Sequence, residues 1–206
     1  MKKIMFNDRY GLTTAVLEGR KTMTRRAVSE KLLEAYYDYD DYVCAVAPRD
    51  IPCTREYEQE FFLRRSPFEV GEVVAVAQSY KDVMEARGES GVSHLVAKAG
   101  YKNKMFVRAE LMPHMIRITG IRVERLRDIT EEDCLREGIY KRDPAPGVQA
   151  LFAYDTTQDQ DGHMLATTWY TTARGAFSGL IDKVSGKGTW GDNPWVFVYE
   201  FELIKE

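Results

Sequence analysis

The segment Gly-Arg-Lys-Thr-Met-Thr-Arg-Arg, residues 19–26, is the part of this sequence that says most about the architecture. It follows residues 8–18, whose apolar side chains can share one face of a helix. Gly19 stands where helices commonly end in a left-handed residue, a conformation that glycine adopts without steric cost. Four cationic side chains lie within the seven residues after Gly19. The segment therefore predicts the end of a helix, followed by a cation-rich turn.

The crowded cations of this segment have two interpretations. Like charges raise the free energy unless a carboxylate, an anion or solvent compensates them, so the segment is either a solvated turn or a site. As a site, Lys21 lies near threonine hydroxyls and arginines, a setting that can depress its pKa. A neutral lysine can take a proton from the hydroxyl of Thr24. Because side chains alternate along a strand, this requires a turn or bulge near Thr22. The sign of the shift in the lysine pKa stays open.

A second segment with chemical content is Thr-Glu-Glu-Asp-Cys-Leu-Arg-Glu-Gly, residues 130–138. Thr130 is a good N-cap, acidic residues fill the first turn, and Gly138 ends the helix. Glu137 breaks this order, because its carboxylate faces the negative end of the helix dipole at a cost of about 0.3–1 kcal/mol. Glu137 therefore either lies in solvent or pairs with a cation, and both alternatives stay open.

Strands are predicted at residues 73–79, 116–127 and 195–203, which are rich in β-branched and aromatic side chains. Unbroken alternation over the second of these would place Ile118 on the same face as Glu124, and Arg117 on the face of Val123. Such mixed faces suit a barrel wall with one packed side and one partly wet side.

These segments resemble the ASCH domain, a family of the PUA-like superfamily. The pattern Gly-Arg-Lys-Thr-x-Thr-x-Arg at residues 19–26 is similar to the family's opening motif. The turn at residues 67–71, the block at 116–129 and the ending Asn-Pro-Trp-Val-x-Val-x-Glu-Phe at 193–201 resemble larger phage- and prophage-type ASCH proteins. The resemblance implies an α+β fold: a PUA-like mixed β-barrel with flanking short helices.

The resemblance also implies one domain over residues 1–206. Between the similar blocks lie insertions at about 29–65, 81–104 and 143–168, which the small bacterial ASCH enzymes lack. The insertions make this chain about twice the size of those enzymes, so its substrate does not follow from the resemblance alone.

The small ASCH enzymes hydrolyse the acetyl amide of N4-acetylcytidine, and the resemblance extends this expectation to the present chain. It implies that Thr24 is the nucleophile, that Lys21 is the general base, and that Glu137 holds Lys21 and passes the proton. Arg26 or a nearby backbone amide would stabilise the oxyanion. The predicted substrate contacts are Arg20, Arg25, Arg26, Arg117 and Trp195. Trp195 is also consistent with packing at the core or rim.

Two other hypotheses stay open beside the amidohydrolase. The cations of residues 20–26 could hold phosphate or RNA without chemistry, in a binding module. A net charge of −3 argues against long-range attraction to nucleic acid, so we expect a nucleoside-sized ligand or a local RNA contact. The third hypothesis is a phage-encoded factor that acts on a host protein.

Composition excludes several other classes. The chain has 206 residues, of which 44% are hydrophobic, and no apolar run has the roughly 20 residues of a membrane span. It lacks a secretory signal, and Cys44, Cys53 and Cys134 show no CxxC spacing, so we expect reduced thiols and a cytoplasmic location. The histidines are scattered, and the calcium-like pattern at 157–168 lacks its first and last ligands. We therefore predict no metal and no cofactor, and the sequence leaves the oligomeric state open.

Overall fold

The computed structural model describes residues 1–46, 55–88, 99–143, 147, 149–154, 156–158, 164–166 and 168–204. The calcium-like loop at 159–162, Cys53, His94 and His163 lie outside the described residues.

Helices and strands are mixed along the chain. The strands are β1 (Lys3–Ile4), β2 (Met23–Ala27), β3 (Val73–Val76), β4 (Met115–Arg125), β5 (Tyr140–Arg142), β6 (Leu151–Ala153), β7 (Thr156–Gln158), β8 (Met164–Ala166) and β9 (Trp195–Ile204). The helices are α1 (Leu12–Leu17), α2 (Glu30–Val46), α3 (Arg55–Leu63), α4 (Tyr80–Ala86), α5 (Glu131–Arg136), α6 (Ala173–Val184) and α7 (Thr189–Asp192). Within the described ranges, no helix is long and apolar enough to cross a bilayer.

The fold is α+β, centred on a five-stranded sheet with the order β1-β3-β4-β9-β2. The three segments predicted as strands are β3, β4 and β9, and they are neighbours in this sheet. All pairings in it are antiparallel except that of β1 with β3. In the part of the chain that the structure describes, β1 and β2 are edges and no strand pairing joins them. The chain between them forms α1 instead, so the observed sheet is open and not a closed barrel.

A bulge in β4 changes which side chains share a face. Ile118 lies opposite Phe201 while Gly120 lies opposite Glu200, so the register shifts by one residue at this point. One extra residue reverses the alternation beyond it. Ile118 and Val123 are consequently both buried in the main core, on one face. The alternating sets predicted from the sequence were wrong across residues 118–121 for this reason.

Residues 29–46 and 55–65 pack on the sheet through aromatic side chains. The Phe62 ring is completely buried, 5.8 Å from the ring of Trp195 and 6.4 Å from that of Phe197. On α2, Tyr36 packs 4.8 Å from Phe62, whereas Tyr37 is exposed. The described part of the 29–65 segment therefore contributes to the main core.

Candidate functional site

Two glycine-terminated helices bring Lys21 and Glu137 together. Gly19 follows α1 with φ +75° and Gly138 follows α5 with φ +101°, so both adopt the predicted left-handed conformation. Lys21 N–H donates to the carbonyl of Ala15 at 2.9 Å, which fixes the exit from α1. Thr22 N–H donates to the carbonyl of Arg136 at 2.9 Å, which connects the end of α1 to the end of α5.

Lys21 and Glu137 form a buried ion pair. The Lys21 ammonium donates to Glu137 Oε2 at 2.6 Å and to the backbone carbonyl of Glu137 at 2.7 Å. Their side chains are 2% and 5% exposed, so water screens little of the interaction. Burial lowers the pKa of Lys21 and outweighs the attraction of Glu137, which raises it. The neutral amine is thus easier to form here than on a solvated lysine.

The other carboxylate oxygen of Glu137 is held by Arg25. Arg25 Nη1 donates to Glu137 Oε1 at 3.1 Å, and Arg25 Nη2 donates to Asp133 Oδ2 at 2.9 Å. Arg25 also donates to Glu124 Oε1 from Nε at 3.0 Å and from Nη2 at 2.6 Å. With a side chain only 1% exposed and three carboxylate partners, Arg25 fixes Glu137 in position. Its charge is already compensated, which leaves little of it for a substrate phosphate.

Arg25 belongs to a cluster in which four cations meet four carboxylates. Arg122 joins it because it shares Glu124, at 3.0 Å, and Asp133 with Arg25. Arg122 Nη1 also contacts Glu200 Oε1 at 2.7 Å, and Arg136 Nη2 contacts the other oxygen of Glu200 at 3.0 Å. These hydrogen bonds lower the pKa of Glu200. The ionic cluster consists of Lys21, Arg25, Arg122, Arg136, Glu124, Asp133, Glu137 and Glu200.

Sequence reasoning missed five members of the ionic cluster as site residues: Arg122, Arg136, Glu124, Asp133 and Glu200. The signal that could have found them is charge alternation. Arg122 and Glu124 are two residues apart on a strand, and Asp133 lies in the acidic first turn of α5.

Thr24 lies on the opposite face of β2 from Arg25. It is 5% exposed and pairs with Tyr199 of β9, while Arg26 pairs with Phe197, so these side chains share one face. Within the described residues, no hydrogen bond joins the Thr24 hydroxyl to Lys21 or Glu137. Phe6 connects the two faces, because the Lys21 ammonium and the Arg26 guanidinium each lie 5.8 Å from its ring centroid. Burial lowers the pKa of Arg26.

The remaining predicted contacts lie elsewhere. Arg20 is exposed and pairs with Glu18 at 2.6 Å, and Arg117 is exposed and pairs with Glu202 at 3.6 Å. Trp195 begins β9, four residues before Tyr199, and its ring stacks under Arg125 at 4.5 Å. Trp195 and Arg125 both line a groove of about 660 Å³ beside α3. The structure brings Lys21, Glu137 and Arg25 into contact and does not bring Arg20, Arg117 or Trp195 to them.

No group of histidine, cysteine or carboxylate side chains that could hold a metal ion occurs among the described residues. Comparison with family models, with curated proteins and with solved structures finds no match to this chain. The candidate site consists of a buried lysine–glutamate pair and an arginine that orients the glutamate, with Thr24 buried on the opposite face of β2 from that arginine.

Proposed function

We propose that this chain is an amidohydrolase that cleaves the acyl amide of an acylated nucleoside such as N4-acetylcytidine, on a sheet of the ASCH, PUA-like type. The observation that carries the proposal is the 2.6 Å contact between Lys21 Nζ and Glu137 Oε2. A buried amine that is held by a carboxylate and has a lowered pKa gives up its proton more readily than a solvated lysine, which suits it to acid–base catalysis.

In the proposed reaction, neutral Lys21 accepts the proton of the Thr24 hydroxyl as the oxygen attacks the acyl carbon. The tetrahedral intermediate collapses when the Lys21 ammonium gives that proton to the leaving nitrogen, which releases the nucleoside. Water then cleaves the acyl–Thr24 ester, again with Lys21 as base, and the products are the carboxylic acid and free enzyme. Lys21 and Thr24 must approach each other when substrate binds, as catalytic pairs in unliganded sites often do.

The ionic cluster gives Glu137 a positioning role in this reaction. Arg25 occupies Glu137 Oε1, which leaves Oε2 directed at Lys21. The Glu137 carbonyl accepts a second Lys21 hydrogen bond, so the direction of the amine is fixed by two acceptors on one residue. Arg26, on the Thr24 face, supplies a cation for the oxyanion.

The binding-module alternative is less well supported by the contacts. Arg25 is buried among carboxylates, and the exposed Arg20 is paired with Glu18. Nonspecific RNA binding depends on cations that are free to meet phosphates. Because both of these cations are already paired with carboxylates, the contacts favour a small neutral substrate over a phosphate backbone.

The test is the release of cytidine and acetate from N4-acetylcytidine by the purified protein, followed by liquid chromatography. Thr24→Val should lose at least about a hundredfold in kcat, the scale of a lost nucleophile or acid–base step. Thr22→Val is the matched control, because the Thr22 hydroxyl contacts Arg136 at 3.4 Å and not the lysine pair. The control should keep its rate within a few fold. Equal rates for the two variants, or no cleavage by the unmodified protein, would refute the proposed function.

A further inference from the structure

The groove beside α3 follows an open edge of the main sheet. Residues 122–125 of β4 line it in succession, together with Trp195 and residues of α3. β3 pairs with β4 only at residues 115–117, and Ile118 bonds the turn before β3. Among the described residues, no strand covers this side of β4 beyond Ile118. The groove therefore presents about 10 Å of strand edge, at about 3.3 Å per residue.

A glutamine side chain of α3 takes the place of a neighbouring strand at this edge. Val123 N–H donates to Gln59 Oε1 at 2.9 Å, and Gln59 Nε2 donates to the Val123 carbonyl. These are the two hydrogen bonds that a facing residue makes in a hydrogen-bonded pair of an antiparallel ladder. Because backbone groups alternate along a strand, the N–H and carbonyl of Ile121 and Arg125 lie on the same side of β4 as those of Val123. The edge is therefore arranged to accept a further strand.

An extended peptide can replace the Gln59 side chain at this edge without loss of a hydrogen bond. A side-chain amide and a peptide group each offer a carbonyl acceptor and an N–H donor. The main chain of an added strand would make the same two bonds to Val123 and further bonds to Ile121 and Arg125. Exposed strand edges are the surfaces at which other chains add strands. The exchange gains hydrogen bonds at the two flanking residues, which favours the added strand.

The charges of the groove favour a basic peptide. Glu58 and Asp128 line the groove, and neither forms an ion pair with another described residue. The cations of the groove are already engaged, because Arg122 contacts three carboxylates and the Arg125 guanidinium lies 4.5 Å from the centre of the Trp195 ring. Lysine or arginine side chains on an added strand would pair with Glu58 and Asp128, whereas acidic side chains would be repelled by them.

We propose that the groove beside α3 binds an extended basic peptide segment of a partner protein, as a strand added to β4 along residues 121–125. Binding displaces the Gln59 amide from Val123 and pairs the basic side chains of the peptide with Glu58 and Asp128. This binding goes beyond the proposed hydrolysis and does not require it, so that each can fail alone.

Isothermal titration calorimetry on the full chain tests strand addition with four peptides. The probe acetyl-Lys-Val-Lys-Val-Lys-amide should bind, and its analogue with glutamate at every lysine position should bind at least about tenfold more weakly. Two further probes are N-methylated basic peptides, one on its lysine amides and the other on its valine amides. In an extended peptide these two sets of amides point to opposite sides, so only one set can face β4. One methylated probe should lose binding, and the other should keep its affinity within a few fold.

Variants of the groove test the roles of single residues. Gln59→Ala removes the amide that competes with the peptide, so its affinity for the basic probe should rise about tenfold, the scale of one or two hydrogen bonds. Leu63→Ala is the matched control, because Leu63 is an exposed residue of α3 outside the groove, and its affinity should not change. Asp128→Asn should weaken binding of the basic probe by a few fold and keep Tm, which decides the matter even if Gln59→Ala fails to fold.

Four results would overturn the inference. Equal binding of the basic and acidic probes, or equal effects of the two methylated probes, would exclude a strand selected by charge. Weaker binding by Gln59→Ala than by Leu63→Ala would show that Gln59 holds the peptide instead of giving way to it. Dimerisation of Gln59→Ala in analytical ultracentrifugation, without a gain in affinity for the basic probe, would assign the edge to a second copy of this chain.

Discussion

Replacing Glu137 by glutamine tests the buried pair that the candidate site is built on. The substitution keeps the shape of the side chain but removes the only carboxylate that contacts Lys21 among the described residues. Arg25 keeps Glu124 and Asp133, so the uncompensated charge falls mainly on Lys21. Breaking a buried pair by removing one partner costs about 3–5 kcal/mol. Because the Glu137 carbonyl still accepts a hydrogen bond from Lys21, we expect Glu137→Gln to lower the free energy of unfolding by about 3 kcal/mol, the low end of this range.

The chain contains a matched pair in solvent. Lys2 donates to the carbonyl of Pro67 at 2.7 Å and to Glu72 Oε2 at 3.1 Å, the same two kinds of acceptor that Lys21 has. The Lys2 side chain is 52% exposed, so Glu72→Gln should cost at most about 1 kcal/mol. The difference between the two variants isolates the effect of burial.

The destabilisation by Glu137→Gln should depend on pH. Burial already lowers the pKa of Lys21 below 10.5, and Glu137 opposes this shift. Without Glu137 the lysine pKa falls further, since only burial and the neighbouring arginines remain. A group with a lowered folded-state pKa binds fewer protons in the folded than in the unfolded state, so stability rises with pH above that pKa. The difference in free energy of unfolding between the variant and the unmodified protein should therefore shrink as pH rises from the Lys21 pKa of the folded variant to that of the folded unmodified protein. The decrease should be up to about 1.4 kcal/mol per pH unit.

Urea unfolding of the unmodified protein, Glu137→Gln and Glu72→Gln between pH 7 and 10 measures both the loss of stability and its dependence on pH. Glu137→Gln should lose at least about 2 kcal/mol more than Glu72→Gln at pH 7, and part of this excess should disappear as pH rises. Equal losses for the two variants would show that Lys21 is solvated. An excess that grows with pH would give the wrong sign for a lysine with a lowered pKa. Either result would refute the interpretation of the pair as buried and charge-compensated.

Two further predictions concern the surroundings of this pair. Burial raises the pKa of the Cys134 thiol to about 12, so iodoacetamide at pH 8 should label exposed Cys44 and leave Cys134 unmodified until urea unfolds the chain. Peptide mass spectrometry measures the labelling, and equal rates for the two thiols would contradict the prediction. Gly138→Ala should lower the free energy of unfolding in urea by about 1–2 kcal/mol, because φ is +101° at this residue. The control Gly191→Ala, in α7 with open space around it, should lower it by nothing. Equal losses for the two variants would contradict the requirement for glycine at position 138.

The candidate site could be predicted from sequence where it depends on local rules. Gly19 and Gly138 adopt positive φ as predicted, and the Thr130 hydroxyl accepts from Asp133 N–H at 3.1 Å as an N-cap. The mismatch of Glu137 with the helix dipole left solvent or a cationic partner as alternatives, and in the structure Lys21 is the partner. These features follow from backbone sterics and from charges within one or two turns, which a sequence displays directly.

Tertiary structure alone decided which side chains face one another. The bulge at Ile118–Gly120 reverses the alternation of β4; a glycine inside a strand often marks a bulge, but Gly120 alone does not fix the register of the pairing. The burial of Arg25 against α5 depends on contacts between residues more than a hundred positions apart in the chain. The lysine pKa is lowered because burial outweighs the attraction of Glu137. Desolvation is a property of the assembled core, so its balance against nearby charge has no local signature in the sequence.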